Sequence, residues 1–235
     1  PGRSALARVL VVFVSGLLLG GVGVCGPVCA EKQTSPKIDK NTDPEILRKY
    51  VKAFDDLNRI KGPDADRFAT KGQVQEWLHD YSGAAVSYDK AIELNPKYAL
   101  YHLAKARALR AQDKHEAAEK EYSNAIKMGH RSSEVYYGRA LSRMTLKNYL
   151  GSISDAERSI AINPKEYLAW YAKASSEKKI GRFEESIKSF SQAIKIKPED
   201  PNLYGLRSIV YQKQGNIKSA LEDQKIYESL SKKVP

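Results

Sequence analysis

The sequence predicts an all-α solenoid of stacked antiparallel helix pairs with an N-terminal cap helix. Three observations predict it. A 34-residue period runs without a gap from Ala65 to Val234. Small residues recur at fixed places in every period, and proline or histidine recurs near its end. No period-2 strand pattern interrupts the helix formers.

The repeats start at Ala65, Ala99, Ser133, Tyr167 and Pro201, giving spans 65–98, 99–132, 133–166, 167–200 and 201–234. Position 8 is Gly72, Ala106, Ala140, Ala174 and Ser208, and position 20 is Ala84, Ala118, Ser152, Ser186 and Ala220. Such residues let two helices approach closely. Position 4 is Phe68, His102, Tyr136, Trp170 and Tyr204, bulk to fill the space beside them. Position 32 is Pro96, His130, Pro164 and Pro198, where proline stops the second helix. Repeat three has only small residues at Ser152, Ala156 and Ser159, so either Trp170 intrudes there or the array is softer at that point.

These columns, with "SYDKAIELNPKYA" and "SFSQAIKIKPEDP", resemble the tetratricopeptide repeat family over 65–234. The resemblance implies a right-handed α-solenoid whose first helices line a concave groove.

Ahead of the repeats, residues 1–30 read as an export signal. Arg3 and Arg8 precede the apolar run Val9–Leu19, Pro27 breaks any helix, and Val28-Cys29-Ala30 suits cleavage after Ala30. An uncleaved anchor and a lipoprotein are the alternatives. Both cysteines lie in this leader, so a cleaved chain has no thiol chemistry. Cleavage would lower the formal charge from +11 to +9, because the leader carries two arginines and no acid. With no Asn-x-Ser/Thr sequon, the reading favours a bacterial periplasm, or a membrane-anchored form facing outside the cytoplasm. Residues 31–43 read as a polar linker. Residues 44–62 read as a cap helix with Asp43 as N-cap and Pro44 in its first turn. Its apolar face is Ile46, Leu47, Tyr50, Val51, Phe54, Leu57 and Ile60. At the far end, Gln224 and Glu228 stand where earlier repeats are mostly apolar, which suits a terminal cap.

The repeat register leaves no residue pattern for catalysis. His79, His102, His115 and His130 each occupy a structural slot, no metal-ligand spacing appears, and the glycines fall outside any phosphate loop. No cofactor, metal, nucleic-acid partner or small-molecule substrate is expected. Position 7 is basic throughout, as Lys71, Lys105, Arg139, Lys173 and Arg207. Position 23 supplies acids for three of these, predicting Lys105–Glu121, Arg139–Asp155 and Arg207–Asp223 pairs. The first helices nevertheless keep an excess of bases over acids, 12 to 4.

The resemblance assigns positions 2, 5, 9, 12 and 13 of each first helix to the groove. The resulting partner-binding set is Leu103, Arg107 and Arg110 in repeat two, and Tyr137, Leu141 and Met144 in repeat three. Repeat four adds Tyr171, Ser175, Lys178 and Lys179, and repeat five adds Lys213. Asn202, Gly205, Ile209 and Gln212 fill the other groove positions of repeat five. The family's carboxylate clamp is absent, with Ala69, Gln73 and Ala104 at its positions in repeats one and two. The expectation is an exported non-enzymatic scaffold in envelope assembly or secretion, binding a protein segment that carries acidic and apolar residues. The alternative is a binder of an anionic envelope polymer.

Overall fold

The computed structural model describes residues 38–232, all of whose regular elements are helices. The signal segment 1–30, its cleavage at Ala30 and linker residues 31–37 lie outside the described residues. Among the described residues, no helix is long and apolar enough to cross a membrane.

The described residues divide into two compact bodies, one ending at Leu94 and the other beginning at Asn95. The first holds α1 (Pro44–Lys61), α2 (Ala65–Trp77) and α3 (Tyr81–Leu94). The second holds α4 (Ala99–Ala111), α5 (His115–Lys127), α6 (Ser133–Thr145) and α7 (Tyr149–Ile162), followed by α8 (Tyr167–Lys179), α9 (Phe183–Ile196), α10 (Pro201–Lys213) and α11 (Ile217–Ser231). Every first helix of a repeat covers positions 1–13, and every second helix begins at position 17. The architecture is an all-α solenoid of consecutively packed helix pairs.

Turn chemistry keeps this phase. Asp64, Ser132, Glu166 and Asp200 cap first helices, and Asp80, Asn148 and Asn216 accept backbone N–H bonds at the starts of second helices. The backbone at position 15 is left-handed in all five repeats. It is His79, Asp113 and Lys147 in the first three, with φ of 59°, 57° and 63°, and Gly181 and Gly215 in the last two. A side chain in that conformation costs about 1–2 kcal/mol, so three of the five turns are held against local preference by the helices they join.

Packing follows the small columns. Ala84, Ala106, Ala118, Ala140, Ser152, Ala174 and Ser186 are all fully buried at positions 8 and 20. Where position 20 is serine, its hydroxyl donates to the position-8 carbonyl of the same pair: Ser152 to Ala140 at 2.9 Å and Ser186 to Ala174 at 2.7 Å. The small stretch of repeat three is fully buried at Ser152, Ala156 and Ser159. Ala156 packs with Ala140, Leu141 and Ala172, and the covering bulk is Tyr137, Met144, Leu168 and Tyr171. Trp170 packs instead against the cluster around Phe190 and Leu203, and its indole N–H donates to the Pro164 carbonyl at 2.9 Å. Trp170 and Tyr171 are adjacent on the helix, so about 100° of rotation separates the two destinations.

In the first body, α1 buries Leu47, Phe54 and Leu57 against Val74 of α2, with Tyr50, Val51, Trp77 and Leu78 around them. Ile46 and Ile60 are exposed and contribute little to this contact.

The position-7 bases are all paired. Arg139 and Arg207 form bidentate bonds to Asp155 and Asp223 at 2.7–2.8 Å, and Lys105 meets Glu121 at 3.0 Å. Lys71 and Lys173 face serines at position 23, and each finds an acid on the preceding second helix instead: Asp55 for Lys71, and Glu157 at 2.9 Å for Lys173. Both acids occupy position 25, counted in the 34-residue register. Where position 23 is aspartate, position 25 of the preceding helix is serine, and that serine accepts from the same arginine: Ser123 from Arg139 and Ser191 from Arg207. Acid and hydroxyl exchange places between two sites around each base.

Asp155 is also bound by Arg143 at 2.8 Å and is 1% exposed. Asp155→Ala leaves the buried Arg139 guanidinium without an acid, while Arg143 keeps Glu119. It should cost about 3–5 kcal/mol in urea unfolding, whereas Glu157→Gln, at a half-exposed pair, should cost under about 1 kcal/mol. Lys147→Gly relieves a left-handed side chain and should raise stability by about 0.5–1 kcal/mol, read as a higher Tm.

Candidate functional site

The residues expected to form the groove all lie in the second body, on the first helices α4, α6, α8 and α10. Leu103, Leu141 and Ser175 are buried and form its floor. Arg107, Arg110, Tyr137, Met144, Tyr171 and Lys178 are half-buried, while Lys179 and Lys213 are exposed.

At repeats two and three the groove is a polar-aromatic cluster. Arg107 pairs with Glu134 at 3.1 Å. Arg110 reaches the phenol of Tyr122, and its Nε is buried without a partner. Tyr122 lies across Gly138, where an added Cβ would come within 2.4 Å of the ring. Glycine at this point therefore lets α5 and α6 close on the ring. Burial, aided by the charges of Glu134 and Glu166, pushes the Tyr137 phenol up to about 12. Tyr137 thus presents a neutral hydroxyl at any physiological pH.

His102 fills its structural slot with two contacts. Its ring meets Glu121 at 2.6 Å through Nδ1 and lies 3.5 Å from the Pro96 carbonyl through Nε2. Burial pushes the Glu121 carboxyl up, but hydrogen bonds from His102, Lys105 and Asn124 outweigh it, leaving Glu121 below the usual range. Among the described residues, no group of three or more His, Cys, Asp or Glu side chains could hold a metal ion.

At repeats three and four, Tyr137, Met144, Leu168 and Tyr171 form an apolar surface over buried alanines. At repeats four and five it opens into a cleft of about 610 Å³ between α8 and α10. Leu168, Tyr171, Leu206 and Ile209 supply its apolar walls, with Asn202, Gln212 and Gln224 among its polar lining. Gly205 and Tyr227 of α11 both line it, and the Tyr227 ring stands 3.2 Å from where a Cβ at Gly205 would be.

Tyr171 is the single member of the expected binding set that lines this cleft. Gly205, Ile209, Asn202 and Gln212 hold groove positions outside that set, and Leu206 and Tyr227 were not assigned to the groove. A sequence signal existed for two of these residues. Position 5 is Ala69, Leu103, Tyr137 and Tyr171 before it becomes Gly205, and position 27 is Ala91, Ala125, Ser159 and Ala193 before it becomes Tyr227. A side chain vanishes from one helix where a ring appears on its partner.

Comparison with known proteins agrees with this architecture. Family models described as "Tetratricopeptide repeat" match residues 71–132 and 103–167, and one described as "TPR repeat" matches 174–215, together more than half of the chain. The chain belongs to the tetratricopeptide repeat family. Serine/threonine-protein phosphatase 5 of Rattus norvegicus and of Homo sapiens are each 30% identical over 102 residues, covering 43% of this chain. The match spans 20% of the length of those phosphatases. Among solved structures, YrrB, a TPR protein with an unusual peptide-binding site, superposes with a TM-score of 0.64 at 16% identity, covering 77% of this chain and 93% of its own. MamA from Desulfovibrio magneticus RS-1 superposes with a TM-score of 0.67 at 14% identity, covering 72% and 96%. As a tetratricopeptide scaffold the chain is built for protein–protein interaction.

The Tyr137 phenol gives a pH test. Its folded value of about 12 lies above the ordinary 10.0, so the unfolded chain releases this proton first as pH rises. The stability it contributes is complete below pH 10 and is lost between 10 and 12. Tyr137→Phe should flatten that part of the stability profile and remove one late-ionising phenol from the ultraviolet titration.

Proposed function

We propose that the chain is an exported, non-enzymatic scaffold that holds a segment of a protein partner along the groove of α4, α6, α8 and α10. The observation that carries this reading is the continuous surface of Tyr137, Met144, Leu168 and Tyr171. Half-exposed tyrosine and methionine on a preformed floor are strong interface anchors, and methionine adapts to varied side chains. Arg110 at one end and Lys178, Lys179 and Lys213 at the other favour a segment that carries acidic as well as apolar residues. YrrB, which shares the fold, is described as having a peptide-binding site, and a peptide is the ligand class adopted for this groove. Residues 1–30 support export, and the site of action proposed is the bacterial periplasm, in envelope assembly or secretion.

A binder of an anionic envelope polymer is the second reading, and the lysines at the end of the groove favour it. Its binding would depend on charge count and weaken steeply with salt. The two readings part on one measurement. A photo-crosslinker at Met144 should capture a protein from envelope extract, whereas one at Leu150, which is 65% exposed, should not. Tyr137→Ala with Tyr171→Ala should weaken that capture at least about tenfold. Capture indifferent to the tyrosines and abolished by moderate salt would overturn the peptide reading in favour of the polymer.

A further inference from the structure

Glu177 stands at position 11 of repeat four, on α8. It is 3% exposed, and Ser189 of α9 donates to one of its carboxylate oxygens at 2.8 Å. The same two positions meet in repeat one, where the Ser87 hydroxyl donates to the Gln75 amide oxygen and both residues are buried. The two repeats also share the charges around this pair. Each has lysine at position 7, serine at position 23 and an acid at position 25 of the preceding second helix: Lys71 with Asp55, and Lys173 with Glu157. At position 11 they differ. Repeat one buries a neutral amide there, and repeat four buries a carboxyl.

Away from water, an ionised carboxylate needs a committed cation and donors for its remaining lone pairs. Glu177 has little of either. Ser189 supplies one hydrogen bond. Lys173, one turn back on α8, lies 3.9 Å from Glu177 but 2.9 Å from Glu157 of α7, so it is shared and sits closer to the other acid. Glu185 of α9 adds a further negative charge nearby. The α6 bases Arg139 and Arg143 are bound to Asp155 and Glu119. Burial, reinforced by Glu185 and Glu157, therefore holds the Glu177 carboxyl above the usual range against the opposing pull of Ser189 and Lys173.

We propose that Glu177 is a proton-operated latch between α8 and α9, closed while the carboxyl holds its proton and loosened when it ionises. The closed form matches the Gln75–Ser87 pair of repeat one, a neutral group beside a serine hydroxyl. Ionisation leaves a charge between the helices with one hydroxyl and a shared lysine to answer it. Opening α8 from α9 returns that charge to water. The unfolded chain ionises this residue near the ordinary 4.5, before the native chain does. The stability contributed by the protonated form is thus complete below pH 4.5 and is lost as pH rises through the higher native value. Tyr171, Ser175, Lys178 and Lys179 share α8 with Glu177, so the latch also governs how firmly they are held. The latch itself does not depend on what those side chains bind.

The test compares the full wild-type chain with Glu177→Gln, which gives repeat four the residue that repeat one already has. Urea unfolding is followed from pH 4.5 to about pH 8. Relative to the variant, the wild-type folded-to-unfolded ratio should fall by up to about tenfold per pH unit and level off once the native carboxyl ionises. Amides of α8 and α9, corrected for the intrinsic pH dependence of exchange, should lose protection over the same interval in wild type and keep it in the variant. An NMR titration of the side-chain carboxyls of native wild type reads the latch without any variant, and Glu177 should ionise after the exposed glutamates. A constant offset between the two chains at every pH marks Glu177 as a packing residue and overturns the latch. Ionisation of Glu177 together with the exposed glutamates overturns it as well, whether or not the variant folds.

Discussion

Two helices can run with their backbones nearly in contact only where each offers the other a methyl, a hydroxymethyl or nothing. Positions 8 and 20 satisfy that condition in all five repeats, and the rest of the structure depends on it. Close approach buries the serine hydroxyls of repeats three and four, and each donates to the facing backbone carbonyl. It also brings position 7 within reach of both neighbouring second helices. Without that proximity, the basic column would be solvated, and its charges would be available to a ligand. With it, Lys71, Lys105, Arg139, Lys173 and Arg207 are each committed to an internal acid.

That commitment shapes the site. A groove lined by first helices carrying so many bases looks polycationic by count. Removing the ladder and the Arg107–Glu134 pair leaves little of the excess, and what remains is concentrated where α8 and α10 end. Lysines there also face helix C-termini, which favours their positive charge. The surface between is neutral and aromatic. Arg143, another base of the first helices, is held by Glu119 and Asp155 and belongs to the packing. Charge is localised at the ends because internal pairing has consumed it elsewhere.

The 34-residue phase made the helix pairs legible, and with them the crossing columns, the histidine slots and three of the five ladder pairs. Lys71 and Lys173 were not legible, since their acids lie at position 25 of the helix before, and a search confined to one repeat cannot meet them. The exchange of acid and serine between positions 23 and 25 is visible once both neighbours are read together. Trp170 was a plausible filler for the space beside Ala156, but helix rotation delivers Tyr171 there, and a column of residue sizes carries no direction. The cleft of repeats four and five shows a further limit. Gly205 and Tyr227 each break their column, yet only their meeting in space shows that the ring takes the place of the missing side chain.

The left-handed residue at position 15 carries a consequence for how such a chain can change length. The turn between paired helices has three residues, and its central conformation is already imposed on His79, Asp113 and Lys147. One added residue would swing the following helix by about 100°, sending its small column away from the crossing and its position-23 acid away from its base. Insertions and deletions smaller than a whole repeat are therefore selected against at every turn. Such an array can lengthen by duplicating 34 residues at a time, and it diversifies by substitution on the open faces of its first helices. Its frame is inherited in whole units, and its recognition is rewritten one side chain at a time.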